Sequence, residues 1–190
     1  MAGATRRELV GRGALFGGLT AAAASAPALR RVTAALAQAD GDARVLERAL
    51  RLEQTAAFVY EAARRDGRLS PALRSAFRLF RDHERAHIAR LVLELERLGG
   101  TPPPKPARVA EVPGLGPALA GGRRTILEFA IRQEESIVAV YYRAQRELRD
   151  TKLMQATATM MANAGQQLAT LRAGLGENPV PNAFETGEAR

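Results

Sequence analysis

The chain has 190 residues, a net charge of +8, 46% hydrophobic and 5% aromatic residues, and neither cysteine nor tryptophan. Without cysteine there can be no disulfide, no thiolate metal site and no cysteine nucleophile. Five arginines against one glutamate fall within residues 1–39, and the remaining charges alternate in sign along the chain with few aromatics between them. That is the pattern of solvated helix faces, so no nucleic-acid partner is expected.

Residues 1–39 read as an export signal. Thr5-Arg6-Arg7-Glu8-Leu9-Val10 resembles the twin-arginine motif, with Leu where Phe is common. Gly13–Leu29 is weakly apolar, and is short and glycine-rich for a membrane span. Arg30 and Arg31 follow, and Ala37-Gln38-Ala39 before Asp40 supplies an A-x-A cleavage signal. The expected layout is a leader over 1–39, a helical domain over 40–176 and a tail over 177–190. The product is expected to be periplasmic, extracytoplasmic or secreted, with no stable membrane span once the leader is removed.

Four helices are predicted beyond the leader. The first, over 43–64, has a seam of Leu46, Leu50, Glu53, Ala57 and Tyr60 in steps of three and four, and Asp66-Gly67 ends it. The second opens at Ser70-Pro71, runs to about Leu98 and carries Phe77, Phe80, Glu84, His87, Leu91, Leu95 and Leu98 on its seam, before Gly99-Gly100. Residues 101–122 hold prolines too densely for a regular helix and read as a long connection. The third helix, over 123–149, has its seam at Leu127, Ala130, Glu134, Ile137, Tyr141, Ala144 and Leu148. The fourth, over 151–175, has Leu153, Ala156, Met160, Ala164, Gln167 and Leu171, and Gly176 caps it. No stretch alternates with period two. The fold class is therefore all-α, a four-helix bundle with a long crossover between helices 2 and 3.

Glu53, Glu84, His87 and Glu134 interrupt apolar seams near the middle of their helices. Glu84 and His87 are three apart, which stacks them on one helix face. Three carboxylates in an apolar core are costly unless a cation or several hydrogen bonds compensate. Carboxylates with imidazole suit iron, manganese or zinc rather than calcium. Residues 52–60 and 133–141 echo each other, each placing a Tyr seven residues after the Glu. Tyr60 and Tyr141 are thus expected to hydrogen-bond the glutamates. His83 is placed at a helix flank, and Met154, Met160 and Met161 are read as core filler. No catalytic triad and no phosphate loop is found.

Glu53, Glu84-x-x-His87, Glu134, the long crossover and the closing segment Pro179–Glu185 together resemble the ferritin-like superfamily, most of all its exported, single-domain bacterial branch. The resemblance covers about residues 43–187. It implies Glu53 and His87 as terminal ligands of a first metal, Glu84 as a bridge and Glu134 as a terminal ligand of a second. It implies iron, or iron and manganese, as the cofactor and oxidation of ferrous iron as the chemistry. The family's second Glu-x-x-His falls here on Ala164 and Gln167, so one carboxylate and one imidazole are missing. Whether the chain is an enzyme is left open: a non-catalytic envelope or stress-related bundle is the alternative. The partner expected is a metal ion, and a homodimer is the assembly considered.

Overall fold

The computed structural model describes residues 26–187. The arginine pair and most of the apolar stretch of the expected leader lie outside the described residues. The chain divides into two units, Met1–Leu36 and Ala37–Arg190. The described part of the first is helical, with Val32 and Leu36 exposed.

The helices are α1 (Ala26–Asp66), α2 (Pro71–Arg97), α3 (Leu115–Gly121), α4 (Arg123–Glu147) and α5 (Thr151–Leu175), with a 3₁₀ turn at Val109–Glu111. There is no strand among the described residues, as the all-α reading expects. α1 begins at Ala26 rather than near Ala43. The run after Pro27 is rich in Ala, Leu and Arg and contains no breaker before Gly41, so it is helical by propensity. The core seam, which marked the expected start, begins only at Asp42, the first buried side chain among those described.

Local chemistry sets the other boundaries. The Ser70 hydroxyl accepts from the Leu73 N–H at 3.3 Å, and Pro71 opens α2. Leu148 is extended, so α4 stops two residues short of the expected end. Asp150 accepts from the Lys152 and Leu153 N–H groups and starts α5, and Gly176 at φ 82° closes it. The expected irregular crossover contains one further short helix, α3. Its Leu115 and Ala118 pack with Val59, Val112 and Phe129 in a small second core.

Polar contacts between helix ends fix the directions. Arg81 in the first half of α2 pairs with Glu61 near the end of α1 at 2.5 Å. Arg97 at the end of α2 reaches Asp150 at the start of α5 at 3.3 Å. Arg123 at the start of α4 donates to the Gly174 carbonyl near the end of α5. Asp42 accepts from the Arg149 and Asp150 N–H groups at 2.9 and 3.1 Å, which ties the α4–α5 turn to the beginning of the α1 seam. Hence α1 and α2 are antiparallel, α4 and α5 are antiparallel, and the crossover returns the chain along the bundle. On the way Gln54 holds the Pro103 carbonyl at 3.2 Å, and Arg68 donates to the Leu119 carbonyl.

The main core is aliphatic, with Leu46, Leu50, Leu91, Leu95, Leu127, Leu153 and Leu168 interleaved with small Ala49, Ala56, Ala63, Ala130 and Ala144. Tyr60 meets Phe77 and Phe80 edge-on, with ring centroids 5.1 and 5.5 Å away. Met160 is buried, and Met154 and Met161 pack at the margin. No helix among the described residues is long and apolar enough to cross a membrane.

Asp42 is 2% exposed and supplies both acceptors for the α4–α5 turn. Asp42→Ala is expected to lower the unfolding free energy by about 2 kcal/mol, because two partly buried N–H groups lose their partner. Urea unfolding monitored by circular dichroism reads this directly.

Candidate metal centre

The apolar seams that bury each helix also bury the polar residues lying on them. Glu53 and Glu134 are 0% exposed and Glu84 1%. His87 keeps a partly accessible ring. The His87 Nδ1 lies 3.3 Å from Glu53 Oε2 and 3.3 Å from Glu84 Oε2. One ligand atom from each of Glu53, Glu84 and His87 falls within 4.8 Å of the others, a spacing that can hold a metal ion. Glu134 stands outside this group of three, although it faces the same buried layer.

Two tyrosines brace the layer, and they do so crosswise. Tyr141 of α4 donates to Glu53 Oε1 of α1 at 2.5 Å, while Tyr60 of α1 donates to Glu134 Oε1 of α4. Seven residues of helix span about 10 Å, so a tyrosine cannot reach the glutamate on its own helix. Two reciprocal contacts with the same seven-residue offset are met only when the two helices run antiparallel. Parallel helices would leave one of the pairs about 20 Å apart.

Two carboxylate oxygens in this layer, Glu84 Oε1 and Glu134 Oε2, are buried with no hydrogen-bond partner. Native interiors rarely leave such groups unpaired, and a cation is one way to complete them. The donor set therefore fits a metal cation.

α5 contributes Ala164 and Gln167, 2% and 1% exposed. Gln167 Oε1 lies 3.5 Å from the Tyr60 hydroxyl, and its Nε2 donates to Asn163 Oδ1 at 2.8 Å. Asn163 in turn lies 3.4 Å from His83 Nδ1. His83 thus sits half-buried at the flank of α2, away from the group of three. Nothing in the spacing of the apolar residues singled out Asn163. Its one sign was its place one turn before Gln167 on α5.

A profile of the ferritin-like domain matches residues 41–177. The chain belongs to the ferritin-like family. Comparison with curated protein sequences gives no match.

Within this ferritin-like layer the electrostatics are those of a buried acid cluster. Burial first, then the charge of Glu84, pushes Glu53 and Glu134 well above the usual carboxylate range. Burial also acts to raise Glu84, but its hydrogen bonds with Glu53 and His87 and the imidazolium charge outweigh that and lower it. Burial opposes a charged His87, yet its bonds to Glu53 and Glu84 raise it to about 10. Burial and the neighbouring carboxylates raise both tyrosines, which keeps them as neutral donors. In metal-free protein the layer thus favours protons on Glu53, Glu134 and His87 and a charge on Glu84.

The signs fix a stability profile for metal-free protein. Glu53 and Glu134 bind their protons more tightly folded than unfolded. Their contribution is full below pH 4.5 and is lost as pH rises through the folded values. His87 acts in the same sense, full below 6.5 and lost as pH rises through about 10. Glu84 acts oppositely, and only below 4.5. Chelator-treated protein should therefore melt at a lower temperature at pH 8 than at pH 5.5. Each group that titrates in this window contributes up to about 1.4 kcal/mol per pH unit. Glu134→Gln should flatten part of the slope. Calorimetry in chelator across this range is the check, and a melting temperature that rises with pH would contradict the assignment.

Proposed function

We propose that this chain is an exported ferritin-like protein that takes up ferrous iron at Glu53, Glu84 and His87, with Glu134 as the neighbouring carboxylate. One observation carries the reading: two buried carboxylate oxygens without partners stand beside three ligand atoms spaced to hold an ion. When bound, iron would supply the oxidation of ferrous ion by oxygen or peroxide, and manganese is the other metal that suits this donor set. The chain's own residues position the ligands. Tyr141 fixes the Glu53 carboxylate, leaving Oε2 turned toward His87, and Tyr60 fixes Glu134, leaving its Oε2 open. His87 Nδ1 must give up its proton before it can ligate. With Ala164 and Gln167 on α5, a second ion would have only Glu134 and a shared Glu84, so we propose one tightly held ion per chain.

The export part of the proposal rests on Arg6-Arg7, the weakly apolar stretch after them and Ala37-Gln38-Ala39. Among the described side chains before Asp40, none is buried.

The second reading is a non-catalytic ferritin-like bundle serving as an envelope or stress-related module. The hydrogen bond from Gln167 to Asn163 favours it, since it occupies the α5 side of the layer without any cation.

Metal content separates the two. Protein purified from cells supplemented with iron and manganese should carry about one ion per chain by elemental analysis, and the Glu84→Ala, His87→Ala double variant none. No metal in either, with a melting temperature unmoved by ferrous iron, would leave the second reading. Export has its own measurement. Arg6→Lys with Arg7→Lys should hold the protein inside the cell, whereas the parent should be recovered outside with Asp40 as its first residue. A parent that stays inside would remove the export claim.

A further inference from the structure

The outer face of α2 carries two large exposed apolar side chains, Leu79 at 53% and Leu93 at 62%. They lie seven residues to either side of Ala86, which is itself exposed. At 3.6 residues per turn they project about 20° to either side of Ala86, while the core-facing Phe77, Glu84, Leu91 and Leu95 project about 140–180° away. Leu79, Ala86 and Leu93 therefore form a straight apolar stripe along the side of α2 opposite the core.

The charges flanking that stripe are arranged about the same centre. Asp82 and Arg90 lie four residues before and after Ala86, and Arg78 and Glu94 lie eight before and after. Asp82 and Arg90 are about half exposed, and among the described residues their ion-pair partners are neighbours on their own helix: Arg81 and Arg85 for Asp82, Glu94 for Arg90. Reversing the helix about Ala86 exchanges Leu79 with Leu93, Asp82 with Arg90 and Arg78 with Glu94. A second α2 laid antiparallel would thus meet leucine with leucine and each of these charges with its opposite. A parallel α2 would set Asp82, Arg90 and Arg78 each against its own copy. A surface that complements itself under a two-fold rotation is what an isologous dimer requires.

We infer that two copies of this chain pair through the outer faces of their α2 helices, antiparallel, with the two-fold axis at Ala86. Leu79 of one protomer packs against Leu93 of its partner on both sides of the axis, and Ala86 allows the backbones to approach. The Asp82–Arg90 pairs flank the stripe and set direction more than strength, since exposed ion pairs contribute little. This interface does not depend on the metal reading, because its residues point away from the buried carboxylates.

The test is sedimentation of the full chain at micromolar concentration. The parent should sediment at twice the chain mass. Leu79→Glu with Leu93→Glu should weaken association at least about thirtyfold, as loss of central anchors does. Asp82→Arg alone should weaken it, and adding Arg90→Asp should restore it, an outcome that misfolding cannot imitate. The chain has no cysteine, so a single introduced thiol gives a clean second readout. Ala86→Cys falls on the axis and should cross-link on mild oxidation. Ser75→Cys, whose two copies would lie about 33 Å apart, should not. A monomeric parent overturns the proposal. So does a dimer that neither loses affinity in the leucine variant nor cross-links through Ala86→Cys.

Discussion

The structure depends on keeping three carboxylates inside an apolar bundle. Each would cost several kcal/mol as an isolated buried ion, more than a domain of this size can concede three times. The fold meets the cost in two ways. It supplies hydrogen bonds from Tyr60 and Tyr141, and it places one imidazole where two carboxylates share it. Two oxygens, Glu84 Oε1 and Glu134 Oε2, remain without a hydrogen-bond partner, and a cation is one group that could complete them.

That constraint reaches the topology. The crossed tyrosine–glutamate pairs work only if α1 and α4 are antiparallel. With two antiparallel hairpins, this forces the connection after α2 to run back along the bundle. The proline-rich segment does so, held by Gln54 and Arg68 and seated on a small core of its own. The crossover and the buried layer are therefore one design: a short α2–α4 turn would reverse α4, and the two pairs could not both form. The echo between α1 and α4 is a local two-fold symmetry. The α2–α5 pair breaks it, because Ala164 and Gln167 stand where a carboxylate and an imidazole would complete it.

The all-α class and the four seams were legible because helix burial leaves a periodic trace, and a Glu or His on such a trace is conspicuous. Glu53, Glu84 and His87 could be brought to one layer for that reason. The separation of Glu134 from those three was not legible, since depth along a seam fixes the level and not the distance across the bundle. Tyr60 and Tyr141 were recognisable as partners, but their crossing required the relative direction of two helices. Asp42 and Asn163 left almost no trace: one acts on the turn between two distant helices and the other on a single amide. The early start of α1 was missed for another reason. Propensity alone makes residues 26–41 helical, and a reading that follows burial passes over a stretch where no described side chain is buried.

Charge balance argues that the asymmetry between the two halves is functional in kind. With Glu53, Glu84 and Glu134 ionised and His87 neutral, the layer carries three negative charges. A single divalent ion with one glutamate still protonated leaves it neutral. Two divalent ions would leave a net positive charge in an apolar core, which the missing α5 carboxylate would have cancelled. Glu134, set apart from the group of three and held by Tyr60, is the natural residue to keep the proton. Loss of one carboxylate from a paired site thus changes more than the ligand count. It changes the number of cations that the interior can neutralise.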